Sequence, residues 1–329
     1  MPIPPSTLSN PTGSSVPRPA SRLIELGSRH RGARLDILLA AELELSRAQV
    51  RRLLVSEAIR LDGRALGLSD KGMPAPGSGT LEVTAWRAPA DQVVRPEAAV
   101  ATLRVLASGA GWLAVDKPAG MPVHPLREGE AGTVLGQVVG LHPEIHGVGE
   151  GGLRSGVVHR LDVDTSGVLL MATEEVAWRR IREAFQSHRV EKTYRAIVQG
   201  RFDPVGGELE MELPLVVARH RPAVVRVANE DEMRRGRARV IHQSVRPLEA
   251  LRDATLVEVR PTTGFLHQIR ASLAQLGHPL LGDGRYADEA IAKRAPRHML
   301  HAARARLDEI DASAADAADF AACLDGLRG

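Results

Sequence analysis

Apolar residues recur at helical spacing in the run RLDILLAAEL, where Leu35, Leu38 and Leu39 stand at i, i+3 and i+4. The run SRAQVRRLL repeats the pattern with Val50, Leu53 and Leu54. Ser46, followed three positions on by Gln49, reads as a capping box that starts this second helix. AIRLDGRAL reads as a strand on either side of Asp62-Gly63, a pair suited to a tight hairpin turn. With the strand TLEVTAW these elements predict a small α/β module over residues 31–87.

A stretch rich in Pro and Ala over 88–100 reads as a linker. From 101 to 308 the chain turns to short apolar runs broken by Gly and Pro, among them GWLAVDKPAG, SGVVHR, GVLLMAT, TYRAIVQG and TLVEVRP. Helical stretches lie between them, such as EEVAWRRIREAFQSH and HQIRASLAQLG. In the latter, Ile269, Leu273 and Leu276 are expected to face the core. There is no regular alternation of strand and helix. The pattern therefore predicts an α+β domain on a mainly antiparallel mixed sheet. Residues 309–329 read as a C-terminal tail with a weak helical pattern, and no internal repeat is visible. Residues 1–30, rich in Pro, Ser and Gly, predict a disordered tail in which Arg18 and Arg22 are the charges available to a polyanion.

A length of 329 residues suits two domains with separate cores. Aromatic residues make up only 3%, so aliphatic side chains must fill both interiors. The net charge of +3 is compatible with a polyanionic partner without requiring one. Cys323 is the single cysteine, which excludes an internal disulfide and a cysteine metal cluster and fits the reducing cytoplasm. No apolar stretch approaches the ~18 residues of a membrane span, so no membrane partner is expected.

Residues 159–167 read HRLDVDTSG, just before the apolar run VLLMA. Asp162 then lies in a loop carried by flanking strands, a common place for reactive groups. An ordinary Asx or Ser/Thr turn accounts for the same nine residues. Arg270 falls near the start of its helix, where a cation opposes the helix dipole and calls for an anionic partner. Tyr194 heads the strand TYRAIVQG, where an apolar ring and a polar hydroxyl suit a core edge. In the small module, residues 46–64 hold five arginines, Arg47, Arg51, Arg52, Arg60 and Arg64, against Glu57 and Asp62. Such a face suits phosphate oxygens, although a solvated helix surface looks the same.

The run from Arg34-Leu35-Asp36 through Ser46-Arg47 to Asp62-Gly63 resembles the S-four module, a compact RNA-binding domain first described in a small-subunit ribosomal protein. The resemblance implies that Arg34, Arg47, Arg51, Arg52, Arg60 and Arg64 meet structured RNA. Further on, VDKPAGMPVHP, HRLDVDTSG, KTYRAIVQG, HQIRASLAQLGHPLLGD and LHA follow one another in the order of the RluA-type RNA pseudouridine synthases, over about 200 residues. This second resemblance implies the pseudouridine synthase fold, Asp162 as nucleophile and Arg160 as the residue that helps displace the target base. It also implies Tyr194 packed on the uridine as a candidate for proton transfer, and Arg270 paired with Asp162. Ribosomal RNA of the large subunit is the expected substrate, with transfer RNA the alternative and a monomer the expected state.

Two departures stand out. The family's Thr-Gly-Arg is Thr263-Gly264-Phe265 here, and its Arg-x-His is Arg270-Ala271-Ser272. The family's aromatic and proline signature after LHA is also replaced. A retired synthase that only binds RNA is one rival reading. A hydrolase or metalloenzyme using Asp162, Asp164 and His159 is another, but His124, His159, His267, His278 and His301 show no metal-ligand spacing. Uridine isomerisation changes no oxidation state and needs no external energy, so neither cofactor nor metal is expected.

Overall fold

The spacing read above produces the elements it should in the small module, and the chain ties them into more structure than the pattern shows. The computed structural model describes residues 20–45, 47–86, 89–97, 103–204, 207–220 and 222–328. The chain divides into two units, Met1–Asp91 and Gln92–Gly329.

The first unit contains β1 (Ala20–Leu26), α1 (Leu35–Glu42), α2 (Arg47–Val55), β2 (Ile59–Leu61), β3 (Arg64–Leu66) and β4 (Gly79–Trp86). The strands form one antiparallel sheet in the order β1-β4-β2-β3. Leu35, Leu39, Val50 and Leu54 from the helices bury against Ile59, Leu66, Leu81 and Val83 from the sheet. At the hairpin Asp62 (φ 48°) and Gly63 (φ 83°) are both left-handed, as a two-residue turn of this hand requires. The predicted tail is corrected here. Residues 20–26 alternate Ile24 and Leu26 into the core and pair with β4, and Arg22 donates to the Glu42 carbonyl at 2.9 Å. Arg18 and Ser46, with its capping box, lie outside the described residues.

The second unit contains β5 (Arg104–Gly109), β6 (Trp112–Lys117), α3 (Val134–Leu141), β7 (Ser166–Ala172), α4 (Glu175–Gln186), β8 (Glu191–Gln199), β9 (Leu209–His220), β10 (Ala223–Val227), α5 (Glu230–Arg234), β11 (Arg239–Ala250), β12 (Ala254–Pro261), α6 (Gln268–Gln275), α7 (Glu289–Ala292), β13 (Leu300–Leu307), β14 (Ile310–Ser313) and α8 (Ala318–Arg328). They build a ten-stranded sheet in the order β10-β9-β11-β12-β8-β13-β7-β6-β5, with β14 on β13. Among the described residues only β13 and β7 pair in parallel, so the predicted mixed and mainly antiparallel α+β architecture is what forms. β7 is buried at every position because both of its faces are covered. Leu169 and Met171 meet Val134, Leu135 and Val138 of α3, while Val168, Leu170 and Ala172 meet Ala177, Ile181 and Ala184 of α4.

Two further boundaries differ from the sequence reading, and one side chain faces elsewhere. Within the supposed linker, Val94 is fully buried among Leu113, Val115 and Leu135. Glu97 accepts from Gly132 N at 2.9 Å, at the start of α3 where N–H groups lack helical partners. Residues 92–97 therefore belong to the second unit; 87–88 and 98–102 lie outside the described residues. The supposed C-terminal tail is structural, since Ile310 is buried in β14 and Phe320 and Leu324 of α8 pack on Leu256, Leu281 and Met299. Leu276, just past the end of α6, is 38% exposed and leaves the apolar face assigned to it. Among the described residues, no helix is long and apolar enough to cross a membrane.

Candidate active site

The HRLDVDTSG run reaches from the buried Val158 to β7 and turns tightly, with Thr165 N donating to Asp162 O at 3.1 Å. A buried loop leaves carbonyls that need donors. Lys117, fully buried at the end of β6, donates its ammonium to Pro118 O, Met121 O and Val163 O at 2.7–2.8 Å. Burial pulls the Lys117 pKa down to about 7, against the pull of Asp164. Arg297 holds the other side, donating to Asp164 O at 2.9 Å and to Ser166 Oγ at 3.0 Å. Its Nε and Nη2 are held by the Asp319 carboxylate of α8 at 2.7 and 2.9 Å. His298 Nε2 lies 2.9 Å from Thr165 Oγ1, and His301 Nδ1 lies 2.9 Å from Ser166 Oγ. The turn is thus clamped from β6, from the segment before β13 and, through Arg297, from α8.

That clamp presents Asp162 to a cleft of about 670 Å³, also lined by Arg160, Tyr194, Phe265, His267 and Arg270. Arg270, in the first turn of α6, donates Nη1 to Asp162 Oδ2 at 3.0 Å. Behind it, Nε and Nη2 make two 2.7 Å bonds to the oxygens of Asp283, which is fully buried. This bidentate geometry fixes the guanidinium plane. Burial opposes both charges, yet their mutual hydrogen bonds and attraction prevail: Asp283 lies below the usual carboxylate range and Arg270 above its ordinary value. The expected Asp162–Arg270 pair is present, and Asp283 is the partner that the sequence reading missed. It stands at the end of an apolar run, LGHPLLGD, where a buried acid signals a buried cation.

Tyr194 projects from β8 and packs against residues of two core clusters. Among the described residues its hydroxyl makes no hydrogen bond. Burial, reinforced by the charge of Asp162, pushes that hydroxyl well above its ordinary pKa, so it stays protonated. Arg160 is exposed on the cleft wall, with Arg154, Arg182 and Lys192 also lining the cleft. Lys192 donates to Thr263 O at 2.9 Å, and burial lowers its pKa to about 8.

The remaining candidates take structural roles. His159 accepts from Leu170 N at 2.9 Å and stacks on Phe185 at 4.4 Å. Burial drives its pKa to about 3, so it is a neutral wedge behind the loop. Among the described residues, no group of three His, Cys, Asp or Glu side chains is arranged to hold a metal ion. At the departure positions, Ser272 Oγ accepts from Gln243 Nε2 at 2.8 Å and donates to Ile269 O at 3.1 Å, which satisfies a buried polar pair. Phe265 packs beside Leu215, Val225 and Ile241 while lining the cleft.

In the first unit, Arg34 and Arg47 converge on Asp36 at 3.1 and 2.8 Å, which partly neutralises them although both side chains stay at least half exposed. Arg60 donates to Gly63 O at 3.2 Å, and Arg64 lies 3.4 Å from Asp70. Arg51 and Arg52 are exposed on α2.

Residues 111–275 match the RNA pseudouridylate synthase family. An uncharacterized RNA pseudouridine synthase of Mycobacterium bovis is 37% identical over 276 residues, covering 82% of this chain and 84% of that one. A ribosomal large subunit pseudouridine synthase D of Zymomonas mobilis is 32% identical, covering 83% and 84%. Among solved structures, the human RNA pseudouridylate synthase domain containing 1 is similar with a TM-score of 0.55 and 22% identity over 67% of this chain and 87% of that one.

Proposed function

The chain belongs to the RluA-type RNA pseudouridine synthases, which are isomerases, and from that premise we propose that Asp162 is its nucleophile and large-subunit ribosomal RNA its substrate. The carrying observation is the carboxylate of Asp162, open to the cleft on one side and fixed by Arg270 on the other. Isomerisation breaks the N1–C1′ bond, joins C5 to C1′, releases the C5 proton and leaves N1 carrying a proton. Carboxylates are effective covalent catalysts at sugar carbons. A target uridine must first leave its stack, which costs a few kcal/mol. In this reading Arg160, on the cleft wall, displaces it and the ring of Tyr194 receives the base; stacking on an aromatic recovers about 1–3 kcal/mol. With its hydroxyl protonated, Tyr194 is suited to donate a proton or hydrogen bond, not to accept one.

The substrate reading is supported by the name of the Zymomonas mobilis relative, a ribosomal large subunit enzyme. We read the first unit as an S-four-like RNA anchor, with Arg51 and Arg52 the arginines most open to phosphate, and place the enzyme in the cytoplasm with its RNA. Asp162→Ala should abolish tritium release from 5-tritiated uridine in ribosomal RNA while leaving RNA affinity within about twofold. Tritium release at the wild-type rate would sink the assignment. Pseudouridine mapping of total RNA from cells with and without the gene tests the substrate; a site lost only from transfer RNA would refute the ribosomal reading.

A further inference from the structure

His267 is the residue just before α6, with φ 52° and ψ 22°. A side chain other than glycine is uncommon in this left-handed region and marks a position held there by its surroundings. What holds it is visible. Its Nδ1 lies 2.8 Å from the hydroxyl of Tyr286, and that hydroxyl accepts from Val225 N at 2.9 Å. With the backbone N–H donating to the Tyr286 oxygen, the hydroxyl both accepts and donates when its proton points at Nδ1. In that arrangement Nδ1 is the acceptor, and the imidazole proton sits on Nε2. Burial keeps the ring neutral, lowering its pKa against the attraction of Asp162.

Nε2 faces Asp162 Oδ2 at 3.9 Å, beyond hydrogen-bond range. His267 lines the cleft, and among the described residues its Nε2 makes no hydrogen bond; the carboxylate is already held by Arg270. A substrate whose C1′ is seated against the Asp162 carboxylate supplies the acceptor that Nε2 lacks. Two oxygens near C1′ qualify: uracil O2, three bonds away, which gains charge as N1 departs, and the ribose 2′-hydroxyl, two bonds away; the ring oxygen O4′ loses electron density as that bond breaks and is a poor acceptor.

We infer that His267 is a further catalytic residue, a neutral Nε2–H donor to a substrate oxygen near C1′, with Tyr286 as the positioning residue that sets its tautomer. The inference rests on the reading of Asp162 as nucleophile. No bond to His267 forms and no proton leaves it; the contribution is a fixed hydrogen bond to developing charge, a kind of contact whose removal lowers turnover by about 10²–10³-fold.

The test is single-turnover tritium release by the full chain carrying His267→Asn, because asparagine tolerates the left-handed backbone. The expected result is a rate lowered about 100-fold or more, with RNA affinity changed by less than about twofold. A rate within about threefold of wild type, or a loss confined to affinity, overturns the proposal. Repeating the assay with a 2′-deoxy target separates the two oxygens. A penalty that vanishes there assigns the 2′-hydroxyl, and one that persists assigns uracil O2. Should His267→Asn unfold, Tyr286→Phe keeps the ring over the Arg270 guanidinium, now at 5.2 Å, and removes only the hydroxyl. In that variant, nitrogen-15 spectra should show the Nε2–H tautomer of His267 losing population while the rate falls. A shifted tautomer with an unchanged rate also overturns the proposal. Asp162→Ala measured in parallel keeps the two readings apart: if it remains active, the nucleophile assignment fails regardless of how His267→Asn behaves.

Discussion

Asp283→Asn isolates the electrostatic anchor of the site. Asp283 is fully buried and Arg270 is 6% exposed at its side chain, so solvent screens their attraction little. Breaking such a pair from one side typically costs about 3–5 kcal/mol, because the remaining charge is left buried. Two features place the expected cost near the lower end, about 3 kcal/mol. Arg270 keeps its bond to Asp162, and the asparagine carbonyl still accepts from Arg285 N and Tyr286 N, as Asp283 Oδ1 does at 3.0 and 3.3 Å. What is lost is one arm of the fork, where the new amide would place its own N–H against the guanidinium. For a unit of this size, 3 kcal/mol corresponds to a fall in Tm of about 6–12 °C. Urea and thermal unfolding should show this, and the variant should also turn over slowly because Arg270 is free to re-aim at Asp162. Arg270→Met combined with Asp283→Asn removes the stranded charge and should be more stable than the sum of the single losses implies. A loss below about 1 kcal/mol for Asp283→Asn, or simple additivity of the two changes, would refute the anchor as described.

Further expectations follow from the clamp and from the first unit. Lys117→Met strips three carbonyls of their donor and should cost at least about 2 kcal/mol, lowering kcat more than it raises KM. Lys117 has a folded pKa near 7, below its ordinary 10.5, so between those values the unfolded chain binds the extra proton. The stability of wild type relative to Lys117→Met should therefore rise with pH across that window, as urea titrations at three pH values would show; a fall would contradict the assignment. Asp319→Asn should slow turnover without altering KM, since it loosens Arg297 and through it the Asp164 carbonyl; unchanged kcat would separate α8 from the site. Arg51→Glu with Arg52→Glu should weaken RNA binding and flatten its salt dependence by about 1–2 units of log–log slope. An unchanged slope would place the RNA anchor elsewhere.

The legible part of this protein was local. Leu35, Leu38 and Leu39 announced α1 by spacing, and Asp62-Gly63 announced a hairpin by its backbone preferences. The Asp162–Arg270 pair was legible only by resemblance, because 108 residues separate the partners and no periodicity links them. Asp283, Lys117 and Arg297 were not singled out for the same reason: their work is done with backbone carbonyls or with partners remote in sequence. Residues 20–26 were misread because a short edge strand beside a Pro-rich stretch buries, among its described side chains, only Ile24 and Leu26, too few to stand out from the surrounding composition. The same dilution hid Val94 in a run dominated by Pro and Ala.

The place of β13 in the sheet has a consequence for how the protein is made. β13 lies between β8 and β7, and among the described residues it is the only strand joining the β5–β7 side to the β8–β12 side. On the ribosome β7 and β8 appear first, and β13 begins about a hundred residues after β8 ends. At translation rates of about 5–20 residues per second, the inner edges of both half-sheets wait about 5–20 s for their shared neighbour. One of those edges is SGVLLMA, a strand without a charge and apolar on both faces, the kind of edge that pairs with other chains when left open. The nascent enzyme therefore passes through a stage in which Asp162 already exists but its turn lacks Arg297, and in which escape from aggregation depends on chaperones or on speed.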